Sequence, residues 1–368
     1  MEEAPLGGLS PKDFLRRHWQ KRPLVVRGAL PEIGRAMSKN ALFALAASDE
    51  VESRLVERRG ALWRVAHGPF TKSRLRRAGA RNWTLLVNGV NHHDPAAERL
   101  LRRFAFVPQA RLDDVMVSYA TPGGGVGPHF DSYDVFLVQA GGRRRWRLAR
   151  PPSRARVFPL VGGAPLKLIA GFRAQAEVLA EPGDLLYLPP GWGHDGVALE
   201  SCLTYSIGFR APAGAELAAA FLDHLHERGL PDAAYRDPGL RPARRPARIA
   251  GDMIDFARRQ LGRIRWGRDD VVDFLGRFLS TPRPSVTFRN SGARGRLAVL
   301  DARTQLLYAG RRFFINGESF VPEAHQRRAL AMLADHRRAP VAVLARAGLS
   351  ALLREWRHAG FVHLREDR

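Results

Sequence analysis

The chain has 368 residues and only one cysteine, Cys202. A single thiol cannot form an intrachain disulfide, and it excludes metal sites built from several cysteines. A metal ion in this protein must therefore be bound by histidine, aspartate or glutamate side chains.

Long hydrophobic runs are also missing, and none approaches the roughly 20 residues of a membrane-spanning helix. The first residues, Met1-Glu-Glu-Ala-Pro5, lack the basic and apolar regions of a signal peptide. Hydrophobic residues still make up 45% of the chain, which suffices for a sizeable core. We expect a cytoplasmic protein of two or three domains that does not enter a membrane.

Lysine is scarce, so arginine supplies most of the 59 cations and of the formal net charge of +23. Such a charge fits a weak contact with RNA or with an RNA-bound protein. It fits the codon usage of a GC-rich genome equally well. Charge alone does not identify a ligand, and both interpretations stay open.

The first 212 residues are predominantly β. Residues 10–22 predict a helix with Ser10 as its N-cap and Pro11 in its first turn. From about 60 to 210, short strand-like segments alternate with glycine, proline and aspartate turns, which is typical of a β-barrel or sandwich. The segments with strand character are 24–27, 62–65, 83–87, 115–119, 135–138, 145–148, 185–188 and 203–207.

After Pro212 the pattern becomes helical until a boundary at Thr281-Pro-Arg-Pro284. Helices are predicted at 215–228, 249–261 and 269–279, with a linker rich in proline and arginine at 231–248. The remaining segment suits a small winged-helix-like domain. Its predicted elements are strands at 296–300, 312–315 and 361–364, a hairpin turn at Asn316-Gly317 and helices near 323–335 and 349–359.

The most informative motif is Pro122-Gly-Gly-Gly-Val-Gly-Pro-His129-Phe-Asp131. Residues two apart in a strand face the same way, so we expect His129 and Asp131 to point together into the barrel. A second imidazole would complete the face of two histidines and one carboxylate that is typical of non-haem Fe(II) oxygenases. A histidine and an aspartate at this spacing are weak evidence by themselves.

The expected third ligand is His194, at the end of Glu181-Pro-Gly-Asp-Leu-Leu-Tyr-Leu-Pro-Pro-Gly-Trp-Gly-His194. Leu185 to Leu188 predict a strand, and the following turn would deliver His194 to the barrel rim. Alone, His194 is equally explained as a hydrogen-bonded rim histidine. Together with the first motif, in one continuous β region, it predicts an iron site on two strands of one barrel.

An iron-bound 2-oxo acid needs a cation at its far carboxylate, and the run Gly141-Gly-Arg-Arg-Arg-Trp146 offers one. Alternation places Arg144 on the face of Trp146 and the neighbouring arginines on the opposite face. A guanidinium pairs a carboxylate in bidentate fashion, so Arg144 is the predicted 2-oxoglutarate residue. Ser118 is a second, weaker candidate for the same carboxylate. A solvated arginine stripe on an edge strand is the alternative.

Tyr133 and Asp134 follow the His129 motif closely and are candidates for substrate contact. Simple packing explains Tyr133 equally well. Thr204 and Ser206, on the strand after His194, are weaker candidates for the site. We expect no catalytic residue besides the iron centre, because dioxygen and the cosubstrate carry out the oxidation.

At these residues the sequence resembles the JmjC ribosomal oxygenases, and among them the bacterial branch that hydroxylates an arginine of large-subunit ribosomal protein L-sixteen. The resemblance is close over the first 212 residues and looser beyond, notably at 231–248. The stretches that carry it are 13–23, 67–70, 123–133, 134–136, 142–146, 181–184 and 206–212.

The resemblance implies three regions and a cofactor set. The regions are a JmjC or cupin-type double-stranded β-helix at 1–212, a helical dimerisation region at 213–282 and a winged-helix-like domain at 283–368. The implied cofactors are Fe(II), 2-oxoglutarate and dioxygen, and the implied partners are a ribosomal protein and a second copy of the chain. Iron would be bound by His129, Asp131 and His194, and 2-oxoglutarate by Ser118 and Arg144.

Other functions remain compatible with the same residues. A JmjC hydroxylase or demethylase of another protein, acting on a histidine or a methylated residue, would share the iron chemistry. A metal-dependent cupin without oxygen chemistry would not need Arg144. An RNA- or ribosome-binding module would not need the metal ligands at all.

Overall fold

The computed structural model describes residues 3–35, 37–152, 157–284 and 286–366. The chain divides into two compact units. The first comprises 1–211 with 283–289 and 301–303, and the second comprises 212–282, 290–300 and 304–368. No helix among the described residues has the length and apolarity needed to cross a membrane.

Two sheets form the first unit, and its helices are short. The strands are β1 (Leu24–Val26), β2 (Ser53–Arg59), β3 (Leu62–His67), β4 (Trp83–Val87), β5 (Leu112–Ala120), β6 (Val135–Gly141), β7 (Arg144–Ala149), β8 (Ala176–Ala180), β9 (Leu185–Leu188), β10 (Gly193–Ala198) and β11 (Cys202–Phe209). The helices are α1 (Pro11–Arg17), α2 (Lys39–Leu45), α3 (Lys72–Arg77) and α4 (Pro95–Arg102).

Among the described residues, the large sheet has eight strands in the order β1-β9-β6-β11-β5-β4-β2-β3. The small sheet has the order β10-β7-β8. All strand pairs in both sheets are antiparallel. One face of the large sheet packs on the helices around Phe14, which is fully buried against Phe136 and Tyr187. The other face packs on the small sheet, where Leu137 and Trp146 belong to one apolar cluster.

This arrangement confirms the predicted cupin-type barrel with its mixed β and α content. Helix α1 is shorter than expected and ends at Arg17, although Ser10 caps it and Pro11 begins it as predicted. Helices α2, α3 and α4 were not predicted, nor were strands β2, β8 and β10. The three helices have six to eight residues each, too few for a clear helical periodicity.

The second unit contains helices followed by a small mixed domain. Its elements are α5 (Gly214–Glu227), α6 (Gly251–Leu261), α7 (Arg268–Ser280), β12 (Leu297–Leu300), β13 (Leu306–Ala309), β14 (Arg312–Ile315), β15 (Glu318–Phe320), α8 (Arg327–His336), β16 (Arg338–Pro340), α9 (Val341–Arg346), α10 (Ser350–His358) and β17 (Val362–Arg365). The predicted hairpin turn is confirmed, because Asn316 and Gly317 join β14 to β15 with φ values of 50° and 95°.

Candidate active site

His129 and Asp131 lie in the loop between β5 and β6. The expected strand is wrong here, because the loop is irregular and only His129 forms a β-bridge. Glycine and proline fill most of positions 122–128 and do not sustain a strand ladder. Gly127 has a φ of 77°, and a Cβ there would lie 2.6 Å from Leu168 Cδ2, so this turn requires glycine.

The bridge joins His129 to His194 through two backbone hydrogen bonds. The His129 N–H donates to the His194 carbonyl at 2.9 Å, and the His194 N–H donates to the His129 carbonyl at 2.7 Å. His194 is the second residue of β10, and its side chain is 4% exposed, so it lies inside rather than at the expected rim. The backbone pairing sets the distance between the two imidazoles.

The two imidazoles and the Asp131 carboxylate converge. One ligand atom from each residue lies within 4.8 Å of the others, and His194 Nε2 is 3.6 Å from Asp131 Oδ2. His129 Nδ1 lies 2.9 Å from the Gly127 carbonyl, and His194 Nδ1 lies 2.9 Å from the Trp192 carbonyl. Since a carbonyl only accepts, both Nδ1 atoms carry hydrogen, which leaves both Nε2 lone pairs for a metal.

His194 is neutral at physiological pH. Burial, reinforced by the neighbouring His129, lowers the pKa of His194 to about 4. A neutral imidazole is the form that binds a metal ion. The donor set of two imidazoles and one carboxylate therefore fits a divalent first-row metal such as Fe(II).

Arg144 lies inside the barrel beside Trp146. Arg144 and Trp146 on β7 are each 5% exposed, as the strand alternation predicted. Arg143, in contrast, is exposed and pairs with Glu200. Within the described part of the chain, Arg144 Nε and one terminal nitrogen are buried without a hydrogen-bond partner. A buried guanidinium with free donors strongly favours an anionic ligand. A dicarboxylate such as 2-oxoglutarate supplies that anion.

Ser118 and Thr84 lie at the same end of the barrel as Arg144. Arg144 pairs across the small sheet with Ala198, and Ala198 packs against Ala120, two residues from Ser118. Within the described part of the chain, the hydrogen bond of Ser118 Oγ is a long one of 3.5 Å to the Thr204 carbonyl, so the hydroxyl retains bonding capacity. Thr84 on β4 pairs with Ala120 on β5. Among the described residues, the buried Thr84 hydroxyl has no hydrogen-bond partner. Sequence reasoning missed Thr84, although a threonine within an apolar strand was a signal.

Tyr133 and Asp134 have different environments. The Tyr133 side chain is partly exposed, and its hydroxyl lies near the Asp131 carboxylate. Partial burial and nearby carboxylates raise the pKa of the Tyr133 hydroxyl, so it remains a donor. Asp134 is fully buried and accepts hydrogen bonds from Tyr187 at 2.6 Å and from Gln20 at 3.0 Å. Substrate contact by Tyr133 fits its position, whereas the burial of Asp134 favours a structural role.

Asp114 was not predicted for the site. A Cβ built on Gly208 would lie 3.9 Å from Asp114 Oδ1 and 4.0 Å from Tyr133 Cε2. Gly208 therefore adds no side chain to the space between this carboxylate and the Tyr133 ring, which we call the Gly208 cleft. Such a cleft suits a cationic side chain. No local motif marks Asp114, because strand pairing alone brings it to Tyr133.

A groove of about 750 Å³ borders the loop between β5 and β6 that carries His129 and Asp131, which we call the ligand loop. Its wall includes Phe130 and Trp192, the neighbours of the candidate ligands in sequence. The other lining residues are mostly apolar or cationic, namely Gln20, Lys21, Arg22, Pro23, Arg150, Pro151, Val157, Phe158, Pro189, Pro190 and Gly191. Aromatic and proline surfaces of this kind suit a segment of polypeptide.

Known proteins are similar to this chain in both sequence and fold. Residues 99–217 match the JmjC domain family, and residues 261–363 match the ROXA-like winged helix. The ribosomal protein uL16 3-hydroxylase of Escherichia coli is 41% identical over 272 residues, covering 74% of this chain and 71% of that protein. A probable ribosomal oxygenase of Haemophilus influenzae is 38% identical, covering 55% of this chain and 50% of its own.

Solved structures agree with these relatives. The structure of E. coli YcfD, a ribosomal oxygenase, in complex with cobalt and 2-oxoglutarate matches with a TM-score of 0.77 at 33% identity. It covers 97% of this chain and 98% of that chain. An X-ray structure of the same E. coli protein matches with a TM-score of 0.79. The chain belongs to the JmjC-domain ribosomal oxygenases.

Proposed function

We propose that the chain is an Fe(II)- and 2-oxoglutarate-dependent hydroxylase of an arginine side chain in large-subunit ribosomal protein uL16. The observation that carries the proposal is a buried guanidinium with free donors in the same barrel as a converged His-Asp-His trio. The E. coli relative named a uL16 3-hydroxylase supports the substrate. The YcfD complex with cobalt and 2-oxoglutarate supports the cofactor set.

In this proposal His129, Asp131 and His194 hold the iron. When bound, iron and 2-oxoglutarate activate dioxygen, so that a C–H bond becomes C–OH while 2-oxoglutarate yields succinate and carbon dioxide. Arg144 binds the far carboxylate, and the hydroxyls of Ser118 and Thr84 are placed to complete that pocket. The low exposure of His194 and Arg144 keeps bulk water away from both ends of the cosubstrate.

The groove beside the ligand loop and the cleft at Gly208 support a polypeptide substrate with a cationic side chain. The groove would seat the chain that flanks the target residue. Asp114 would face the target guanidinium, and Tyr133 would border it. This arrangement favours arginine over a neutral side chain as the residue that reaches the iron. A ribosomal protein substrate favours a reaction in the cytoplasm, and the net charge of +23 would favour a weak contact with ribosomal RNA.

The test is mass spectrometry of ribosomal proteins from strains with and without the gene. We expect uL16 from the parent strain to be heavier by one oxygen atom, about 16 Da, with the shift on an arginine. A strain carrying His129→Ala is the control and should lack the shift. An unmodified uL16 in the parent would overturn the proposed substrate. A shift on a histidine, or loss of methyl groups elsewhere, would favour the other JmjC activities.

We also propose that 213–282 is a dimerisation region between an oxygenase domain at 1–212 and a winged-helix-like domain at 283–368. Helix α6 has no buried residue, and Met253, Ile254 and Leu261 are each about half exposed or more. An apolar helix face of this kind is typical of an interface, and a second copy of the chain would cover it.

The dimer prediction is tested by Ile254→Glu. A buried carboxylate in an apolar interface costs several kcal/mol, so the variant should be monomeric by analytical ultracentrifugation at micromolar concentration. Arg259→Glu, on the opposite face of the same helix, is the matched control and should retain the mass of the parent protein. A monomeric parent protein would contradict the prediction, as would a variant that dimerises equally well.

A further inference from the structure

Arg283 binds two adjacent carboxylates of β5, Asp113 and Asp114. One terminal nitrogen of Arg283 lies 2.9 Å from Asp113 Oδ2, and the other lies 3.2 Å from Asp114 Oδ2. Residues 283–289 belong to the same compact unit as the barrel, and the Arg283 side chain is 34% exposed. This arginine therefore reaches the barrel from a segment far away in sequence.

The two oxygens of Asp114 face different surroundings. Oδ2 accepts the Gly89 N–H at 2.8 Å in addition to the Arg283 contact. Oδ1 lies on the side of Gly208 and Tyr133, and Tyr133 in turn lies close to Asp131, one of the candidate iron ligands. The contacts on Oδ2 thus fix the orientation in which Oδ1 meets a bound side chain.

We propose that Arg283 is a positioning residue that holds the Asp114 carboxylate in the orientation that receives the cationic side chain of the substrate. The inference rests on the proposed function, since it needs a substrate with a positive charge. Arg283 itself touches neither the candidate ligands nor the groove, and its effect passes through Asp114.

Electrostatics require such a residue. Burial raises the pKa of Asp114, and Arg283 is the strongest influence that opposes this rise, followed by the Gly89 N–H. Without the guanidinium the pKa of Asp114 rises further, so a larger share of the carboxyl is neutral at a given pH, and the neutral form binds a cation poorly. Other charged or titratable groups lie around Asp114 and Arg283. They are Asp113, which pairs with Arg210, and Glu50, Glu52, Tyr133, His92, His93 and Arg303.

The test uses Arg283→Met in the full-length enzyme loaded with Fe(II), with a uL16 peptide that contains the target arginine. At neutral pH we expect KM for the peptide to rise about tenfold while kcat falls much less, because binding of the cation is weakened. Raising the pH from about 6 to about 9 should reduce this defect, since a higher pH ionises a larger share of the Asp114 carboxyl. Arg283→Lys keeps a cation and should restore most of the parent pH profile.

Arg289→Met is the matched control, because Arg289 lies on the same segment but pairs with Glu50. It should have the KM and pH profile of the parent enzyme. A KM for Arg283→Met equal to that of the parent would overturn the proposal. So would a defect independent of pH, because it would indicate only a loosened segment. If the parent enzyme leaves the arginine peptide unmodified, the proposed function fails instead.

Discussion

Replacing His129 with alanine is expected to abolish the conversion of 2-oxoglutarate to succinate. Loss of a group that merely orients a metal ligand typically reduces metal affinity or activity by 10–100-fold. Removal of the ligand itself should therefore reduce turnover by more than about a hundredfold. In the parent protein the ring centroids of His129 and His194 lie 4.2 Å apart. The variant leaves only the His194 imidazole and the Asp131 carboxylate as ligands. Succinate release measured under saturating 2-oxoglutarate and Fe(II) is the assay.

A second readout separates metal loss from misfolding. Cobalt(II) binding, followed by its visible absorption, should weaken in His129→Ala by at least the same factor as turnover. His67→Ala is the matched control, because His67 is an exposed histidine on β3 of the same barrel. That variant should retain cobalt binding and turnover. Full activity of His129→Ala would remove the iron assignment.

Replacing Arg144 with methionine should raise KM for 2-oxoglutarate by a hundredfold or more. Hydrogen bonds to charged groups contribute about 1.5–3 kcal/mol each, and the buried guanidinium has two free nitrogens for the far carboxylate. Arg144→Lys should recover only part of the loss, since an ammonium lacks the planar fork. Arg143→Met is the control, because Arg143 pairs with Glu200 on the exposed face. Initial rates over a range of 2-oxoglutarate concentrations give the comparison.

Although Arg144→Met should weaken the binding of 2-oxoglutarate, it should make the ligand-free protein more stable. A buried charge without an anion is unfavourable by several kcal/mol, offset only slightly by the contact of Arg144 with the Trp146 ring. Without a dicarboxylate, Arg144→Met should therefore unfold at a higher temperature than the parent protein. Succinate at about 100 times its Kd should stabilise the parent by about 2.7 kcal/mol and reverse the order. Equal melting temperatures in both conditions would contradict a buried anion site.

Local patterns predicted part of this architecture well. The inward position of Arg144 followed from the two-residue period of a strand, and the turn at Asn316-Gly317 followed from residues that tolerate positive φ. Helix α1 was located from its cap. In each case the decisive interactions lie within a few residues of one another.

The features of the site that were not predicted from the sequence depend on contacts between residues far apart in the chain. The convergence of His129 with Asp131 was expected from strand alternation, whereas an irregular loop and a bridge to β10 bring it about. Thr84 and Asp114 join the site only through the register of β4 and β5 with their neighbours. Arg283 contacts Asp114 across 169 positions of sequence. Tertiary packing alone determines such contacts, so no periodicity in the sequence predicts them.

The backbone bridge between the two histidines has a bearing on metal selectivity. Because main-chain hydrogen bonds hold the two histidines in register, the fold sets their relative position before any ion binds. Nitrogen and oxygen donors bind Cu²⁺, Ni²⁺ and Zn²⁺ more tightly than Fe²⁺. We therefore expect the ion in the barrel to depend on cellular supply as well as on this donor set. Preparations from zinc-rich medium should be inert until they are chelated and reconstituted with ferrous iron.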